Sequence, residues 1–288
     1  MSGEIRSILA AVDHDGNQAK RVAVKAVTLA RLTGARLQLF LCDADTAFSG
    51  RHQYEPGAAA RASESSLNES RRYLETLRRG LADDVEISLN VACESPLYEG
   101  IVHAVARSHP DLVIRGAAAA MPLEPNDWEL VRACPAPLLL TRGLSWKARP
   151  IIAAAVDVSP GESAELTRAI LRAAANLAKA ANGTVEVVHA GRSEEALPPA
   201  SDSRRAALAE LVGGAGLEGA QCHLIAGEPA AALREFSARR GFDLIVLGAL
   251  THRKTLTALV GTLTGRLIES LDTDFLLVKP ARSGASAA

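Results

Sequence analysis

Two kinds of pattern alternate along this chain. Short, continuously apolar runs that stop at a turn residue are followed by longer stretches rich in Ala and Leu. Such runs suit strands buried on both faces, and the longer stretches suit the helices that cover them. The first run lies within Ile5–Gly16 and ends at Asp13; a second version lies within Arg149–Gly161 and ends at Asp157. Helices are predicted next, over about Lys20–Thr33 and Gly161–Ala181, closed by left-handed caps at Gly34 and Gly183. For the second helix, Ser159 reads as the N-cap, Pro160 as the first helical residue and Glu162 as the partner in a capping box.

Strands follow at Arg36–Ala44 and Thr184–Gly191, then helices near Ser63–Arg79 and Asp202–Leu211. Third strands are expected near Val85–Ala92 and Ala220–Ile225. The turns Glu94–Pro96 and Gly227–Pro229 open further helices, since proline at a helix start costs no backbone hydrogen bond. The closest correspondence comes next: HPDLVIRGA (His109–Ala117) against GFDLIVLGA (Gly241–Ala249), which pairs Asp111 with Asp243 and Gly116 with Gly248. Final strands lie within Pro137–Thr141 and Asp274–Pro280.

One module is therefore present twice, and an internal repeat decides the architecture. Strands alternating with helices imply a parallel sheet with right-handed crossovers. The expected fold is α/β: two tandem Rossmann-like domains, residues 1–146 and 147–288, each a five-stranded parallel sheet with helices on both faces. Arg142–Pro150 reads as a short linker, and the tail Ala281–Ala288 is expected to be disordered.

Composition changes this picture little. Hydrophobic residues make up 48% and charged residues 23%, as in an ordinary globular protein. Aromatics are only 3%, so the core must be aliphatic. A formal net charge of −1 points to neither a nucleic-acid nor an anionic-membrane partner. Cys42, Cys93, Cys134 and Cys222 have no CxxC spacing and read as buried reduced thiols. The chain opens without a signal-peptide pattern and has no apolar run near the roughly 20 residues that span a bilayer, so a soluble cytoplasmic protein is expected.

In open parallel sheets, ligands bind beyond the C-terminal strand ends where the strand order reverses. That edge should gather the aspartate after the first strand and the glycine after the fourth. In the second half the fourth strand runs into Gly248–Arg266, where Gly248, Gly261, Thr262 and Thr264 bracket a loop leading to a helix. Backbone N–H groups at a helix start, with hydroxyls nearby, suit an anion, and Arg253 and Lys254 could add charge. A plain strand-to-helix connection needing glycine for its turns is the competing interpretation. The first half lacks this loop. Glu124 and Pro125 align with Gly261 and Thr262, so a carboxylate and a missing N–H oppose phosphate there. Asn126 or Asp127 reads as the cap of the helix containing Trp128.

The seven histidines show no zinc-helix or knuckle spacing, and His189 is expected to pack beside the pocket. His14 with Asp13 and Asp15 suits a polar cluster or helix-entry capping, and the arginines of Arg71–Arg79 and Arg204–Arg205 suit solvated faces. Neither a G-x-S-x-G elbow nor a P-loop is present, and no set of residues reads as catalytic.

At these residues the chain resembles the universal stress protein family, in its tandem two-domain, UspE-like form. The family carries an aspartate after the first strand and G-x2-G-x9-G-[ST] after the fourth. Asp157, Gly248, Gly261 and Thr262 match, Thr264 falls on a further hydroxyl position, and Thr251 replaces the second glycine. The segment Asn126–Pro135 resembles the first domain of UspE-type proteins. The resemblance implies the adenine nucleotide alpha hydrolase-like fold and ATP, with or without Mg²⁺, as ligand of the second half. Asp157 would accept from the adenine amino group, and the backbone around Ala190 and Leu247 would line the base. Gly248, Gly261, Thr262 and Thr264 would hold ribose and phosphates, with Thr251 placing a Cβ where close backbone approach is wanted.

A cytoplasmic stress-response regulator or sensor is the leading function, and a scaffold or apolar-ligand protein is the alternative. A slow ATPase ranks last, because no positioned general base is evident. The tandem repeat also suggests an internal pseudo-dimer, with the final strands of the halves pairing or packing, and leaves a homodimer of whole chains open.

Overall fold

A computed structural model describes residues 4–43, 58–118, 121–159, 162–191, 200–249 and 263–280. The first half runs β1 (Ser7–Val12), α1 (Gly16–Thr33), β2 (Arg36–Cys42), α2 (Ala58–Arg79), β3 (Ile87–Ala92), α3 (Leu97–Ser108), β4 (Leu112–Gly116), α4 (Pro125–Ala133) and β5 (Leu138–Thr141). The second runs β6 (Ile151–Ala155), α5 (Ala164–Ala180), β7 (Thr184–Gly191), α6 (Ala200–Gly213), β8 (Gln221–Ala226), α7 (Pro229–Arg240), β9 (Leu244–Gly248), α8 (Leu263–Ser270) and β10 (Asp274–Val278). The first compact unit comprises residues 4–118 and 123–145, and the second contains the chain from Trp146 onward.

Within the first half the strand order is β3-β2-β1-β4-β5, and within the second β8-β7-β6-β9-β10. The neighbouring strands within each half run parallel. The halves are thus the predicted α/β modules. The first strand of each lies between the second and the fourth, so the order reverses beside it and a crevice opens at its C-terminal end.

Burial explains why the central strands are so apolar. Leu9 and Ala10 in β1, Ile152 and Ala154 in β6, and Leu244 and Val246 in β9 are inaccessible to solvent. Small residues in β1 and β6 let helices pack closely. On α1, Ala19, Val22, Ala23, Ala26, Val27 and Ala30 form the buried stripe, at the spacing of one helical face.

One device recurs in both halves and accounts for the pairing of Asp111 with Asp243. The Asp111 carboxylate accepts from the backbone N–H of Arg6 (2.9 Å) and Ser7 (3.0 Å) and from the Ser7 hydroxyl (3.0 Å). Asp243 accepts from the N–H of Lys147 (3.0 Å) and Ile151 (2.9 Å), with the Lys147 ammonium at 3.4 Å. Each aspartate precedes a fourth strand and fixes the start of the first. The segment joining the halves is also tethered: Lys25 Nζ donates to Leu144 O (2.6 Å), and Trp146 Nε1 donates to Asp274 (2.8 Å).

Several helix ends differ from the sequence expectations. Gly34 is the left-handed cap of α1, with φ 71°, and Asp15 caps its start by accepting from Asn17 N and Gln18 N. The start of α5 is capped by Ser163, whose hydroxyl accepts from Leu166 N, not by Ser159. The chain takes six residues from Asp157 to this cap, against two from Asp13 to Asp15, so the start chemistry moves downstream. Asn182, at φ 49°, supplies the left-handed turn expected of Gly183. Gly183 serves close approach instead, since a Cβ there would stand 2.5 Å from Pro150 O. Glu124 is the N-cap of α4 and Pro125 its first residue, so neither Asn126 nor Asp127 is the cap. Pro96 is itself the N-cap of α3, whereas Pro229 is the first residue of α7.

Cys42 and Cys134 are buried, Cys93 is half-buried and Cys222 is exposed, which corrects the expectation of four buried thiols. Cys222 sits on β8, an edge strand of its half, where one side is left open. Burial pushes the Cys42 thiol up to about 11, far from the range of a reactive thiolate. Arg71, Arg72, Arg78, Arg79 and Arg205 are exposed, as expected of solvated faces, and Arg204 is half-buried.

Candidate functional site

The crevice of the second half is a cavity of about 330 Å³ at the C-terminal ends of β6 and β9. That volume is at the lower end of small-molecule clefts. Leu166 and Ile170 from α5, Leu233 from α7 and Leu247 from β9 give it aliphatic walls. Asp157, Glu162, Glu228, Thr264 and Arg266 bring polar groups to it.

Asp157 follows β6, and one of its oxygens accepts from Ser159 N (2.9 Å), which turns the chain toward α5. Thr167 Oγ1 donates to Asp157 O (3.3 Å) and fixes the same turn to the helix. The carboxylate remains about half exposed, with acceptor capacity for a donor arriving from the cavity. His189, almost fully buried on β7, stands behind it. Its Nδ1 lies 3.2 Å from Val156 O, 3.4 Å from Val158 N and 3.8 Å from the Asp157 carboxylate. It packs beside the pocket, as expected, and is not among its lining residues.

Gly248 ends β9 against α5, where a Cβ would approach Leu166 Cδ2 to 2.7 Å. Thr264, in the first turn of α8, is buried and donates to Gly248 O (3.1 Å), so the helix is fastened to the strand end. Across the mouth, Glu228 caps α7 through Ala231 N (2.9 Å) and also holds the Arg266 guanidinium at 3.2 Å.

Of the eight residues proposed from the sequence, Asp157, Ala190, Leu247, Gly248 and Thr264 line this one cavity. Thr251, Gly261 and Thr262 lie outside the described residues, as do Arg253 and Lys254. Glu162, Glu228 and Arg266 were missed. The GEP turn containing Glu228 was visible as a helix start, but a turn motif does not reveal which way its carboxylate points. Among the described residues, no three His, Cys, Asp or Glu side chains converge as a metal cage requires.

The first half treats the equivalent corner differently. Ala11 in β1 pairs with Arg115 in β4, and the same register in the second half carries Leu247 to the Arg115 position. Asp13 then corresponds to Asp157. The Arg115 guanidinium donates to Asp127 through Nε (3.0 Å) and to Asp13 through a terminal nitrogen (3.3 Å). A single charged residue in an otherwise apolar strand was the sequence signal for this cluster.

Among the described residues, no helix is long and apolar enough to cross a membrane. A model of the universal stress protein family matches residues 4–142 and again residues 150–279. A Haemophilus influenzae protein called universal stress protein E homolog is 25% identical over 225 residues, 69% of this chain and 72% of its own. Universal stress protein E of Escherichia coli K12 is 22% identical over 290 residues, 92% of each chain. Among solved structures, a Pseudomonas aeruginosa protein of unknown function has a TM-score of 0.72 at 23% identity, over 97% of this chain and 94% of its own. A universal stress protein from Archaeoglobus fulgidus has a TM-score of 0.68 at 15% identity, over 95% and 98%. These structural likenesses establish the fold, and the double match to the family model goes further: the chain belongs to the universal stress protein family and carries its domain twice.

Proposed function

We propose that the second half binds an adenine nucleotide, ATP, and that the protein acts in the cytoplasm as a stress-response regulator or sensor and not as an enzyme. The observation that carries this is the convergence of Asp157, Ala190, Leu247, Gly248 and Thr264 on one cavity at the switch point. An aliphatic slot suits a purine ring, and a half-exposed carboxylate at its end suits the exocyclic amino group. Gly248 and Thr264 are positioned at the strand end and helix start where ribose and phosphates would follow, with Thr251, Gly261 and Thr262 as the further contacts. ATP would supply the change in occupancy that a sensor reports, and Mg²⁺ would offset phosphate charge beside Glu162 and Glu228.

Those two carboxylates favour a second reading, an apolar ligand without phosphates or a scaffold role, because they oppose a naked polyphosphate on that wall. Calorimetric titration of nucleotide-stripped protein with Mg-ATP separates the two. Micromolar binding at one site per chain, weakened about tenfold or more by Asp157→Ala, is expected. Thr251→Gly should tighten it and Gly261→Glu abolish it. Silence from both wild type and Thr251→Gly would favour the second reading.

A further inference from the structure

We infer that the first half contains a ligand site occupied by the protein itself: the Arg115 guanidinium is its tethered ligand, and the chemical class it accepts is a planar guanidinium cation. Three observations carry this. The first is position. Arg115 stands where Leu247 lines the cavity of the second half, and it reaches Asp13, the counterpart of Asp157. The second is burial. The side chains of Arg115 and Asp127 are only 6% and 9% exposed, and that of Asp13 is 28% exposed. The third is geometry. Nε donates to one carboxylate and a terminal nitrogen to another, so two edges of the planar fork are used at once. An ammonium carries its three donors on one nitrogen, so it could serve both carboxylates only if they closed in around a single atom.

The surroundings support a fitted group more than an incidental ion pair. Asp127 comes from α4, the helix in the stretch that replaces the loop of the second half, and Asp13 follows β1, so carboxylates from two separate elements converge on a cation carried by a third, β4. Gly116, next to Arg115, lies under Gln18 of α1, where a Cβ would meet Gln18 Cγ at 2.8 Å. Gly248 makes the same close approach to Leu166 in the second half, so what differs at this corner is the neighbouring side chain, Arg115 in one half and Leu247 in the other. A diffusible ligand would have to displace a covalently attached one, whose effective concentration strongly favours the closed state. The inference uses the second half only for its geometry and does not depend on what that half binds.

The test removes the tether and supplies the cation. Full-length Arg115→Ala is compared with wild type by thermal unfolding, alone and with ethylguanidinium or ethylammonium at matched millimolar concentration. Arg115→Ala is expected to lower the unfolding midpoint by roughly 10 °C, because Asp127 is left buried and uncompensated. Ethylguanidinium should recover part of that loss and ethylammonium none, while neither should shift wild type. Arg115→Lys should remain destabilised despite keeping the charge. If Arg115→Ala does not fold alone, recovery on refolding with each cation gives the same comparison. Equal rescue by the two cations, no rescue by either, or full stability of Arg115→Lys would overturn the assignment.

Discussion

Asp13 and Asp157 follow topologically equivalent strands, yet Asp13 meets a guanidinium from its own sheet and Asp157 faces a cavity. The exchange of Leu247 for Arg115 at one register position underlies the difference. On the open side, aliphatic residues line space and leave a carboxylate with acceptor capacity. On the other side, a long cation takes the place of that aliphatic wall residue and engages the carboxylate, and Asp127 from α4 completes its coordination. A repeat can keep every strand and still change what its crevice does, because strand pairing depends on the backbone and crevice chemistry on a few side chains.

The sharpest way to break this comparison is to remove one buried carboxylate from each half. Asp127→Ala leaves an almost fully buried arginine with only the more exposed Asp13 as its partner and should cost about 3 kcal/mol in urea unfolding. Glu186 in the second half is equally buried, with His223 Nε2 at 2.9 Å and Arg240 Nε at 3.0 Å. Arg240 is 39% exposed and can regain water, so Glu186→Ala should cost less, about 1–3 kcal/mol. Equal losses would mean that burial of the cation is not what separates the sites.

A smaller effect tests the shared strand-start device. Asp243→Ala should cost about 2 kcal/mol and Asp111→Ala about 1 kcal/mol, because Asp243 is the less exposed of the two. Hydrogen exchange should show the loss as faster exchange at Ile151 and Ser7 respectively. The smallest effect belongs to Asp84, exposed beside Arg31. Its hydrogen bond from Arg31 holds the carboxyl below its ordinary value. Any stability it adds is present above the ordinary carboxylate range and is lost as pH falls through the lowered value. Asp84→Asn should leave the unfolding midpoint at neutral pH unchanged within error, and a clear shift would show that exposed pairs matter more here than screening allows.

Much of the fold was legible because both halves repeat the same signals. The apolar runs, the Gly34 cap, and the alignment of Asp111 with Asp243 all follow from periodicity and turn chemistry, which are local. Ser159 and Gly183 show where local signals compete. Ser159 and Ser163 both suit an N-cap, and the choice depends on where α5 meets the sheet. Asn182 and Gly183 both tolerate a left-handed turn, and the approach to Pro150 reserves the glycine for packing. The cavity was legible through Asp157, Gly248 and Thr264, which sit at strand ends and helix starts. Glu228 and Arg266 meet across 38 positions, and Asp13 and Arg115 across 102, so only the folded chain brings them together.

The aspartates before β4 and β9 have a consequence for how such a chain can be divided. Each ties the first strand of its module to that module's own fourth strand, and the second of these ties begins with the Lys147 amide. A fragment starting at Trp146 would keep every atom of its own fastening, and one ending at Ser145 would lose none of its own. Modules tied off in this way can be duplicated, exchanged or separated by recombination at the join without leaving a loose first strand on either side.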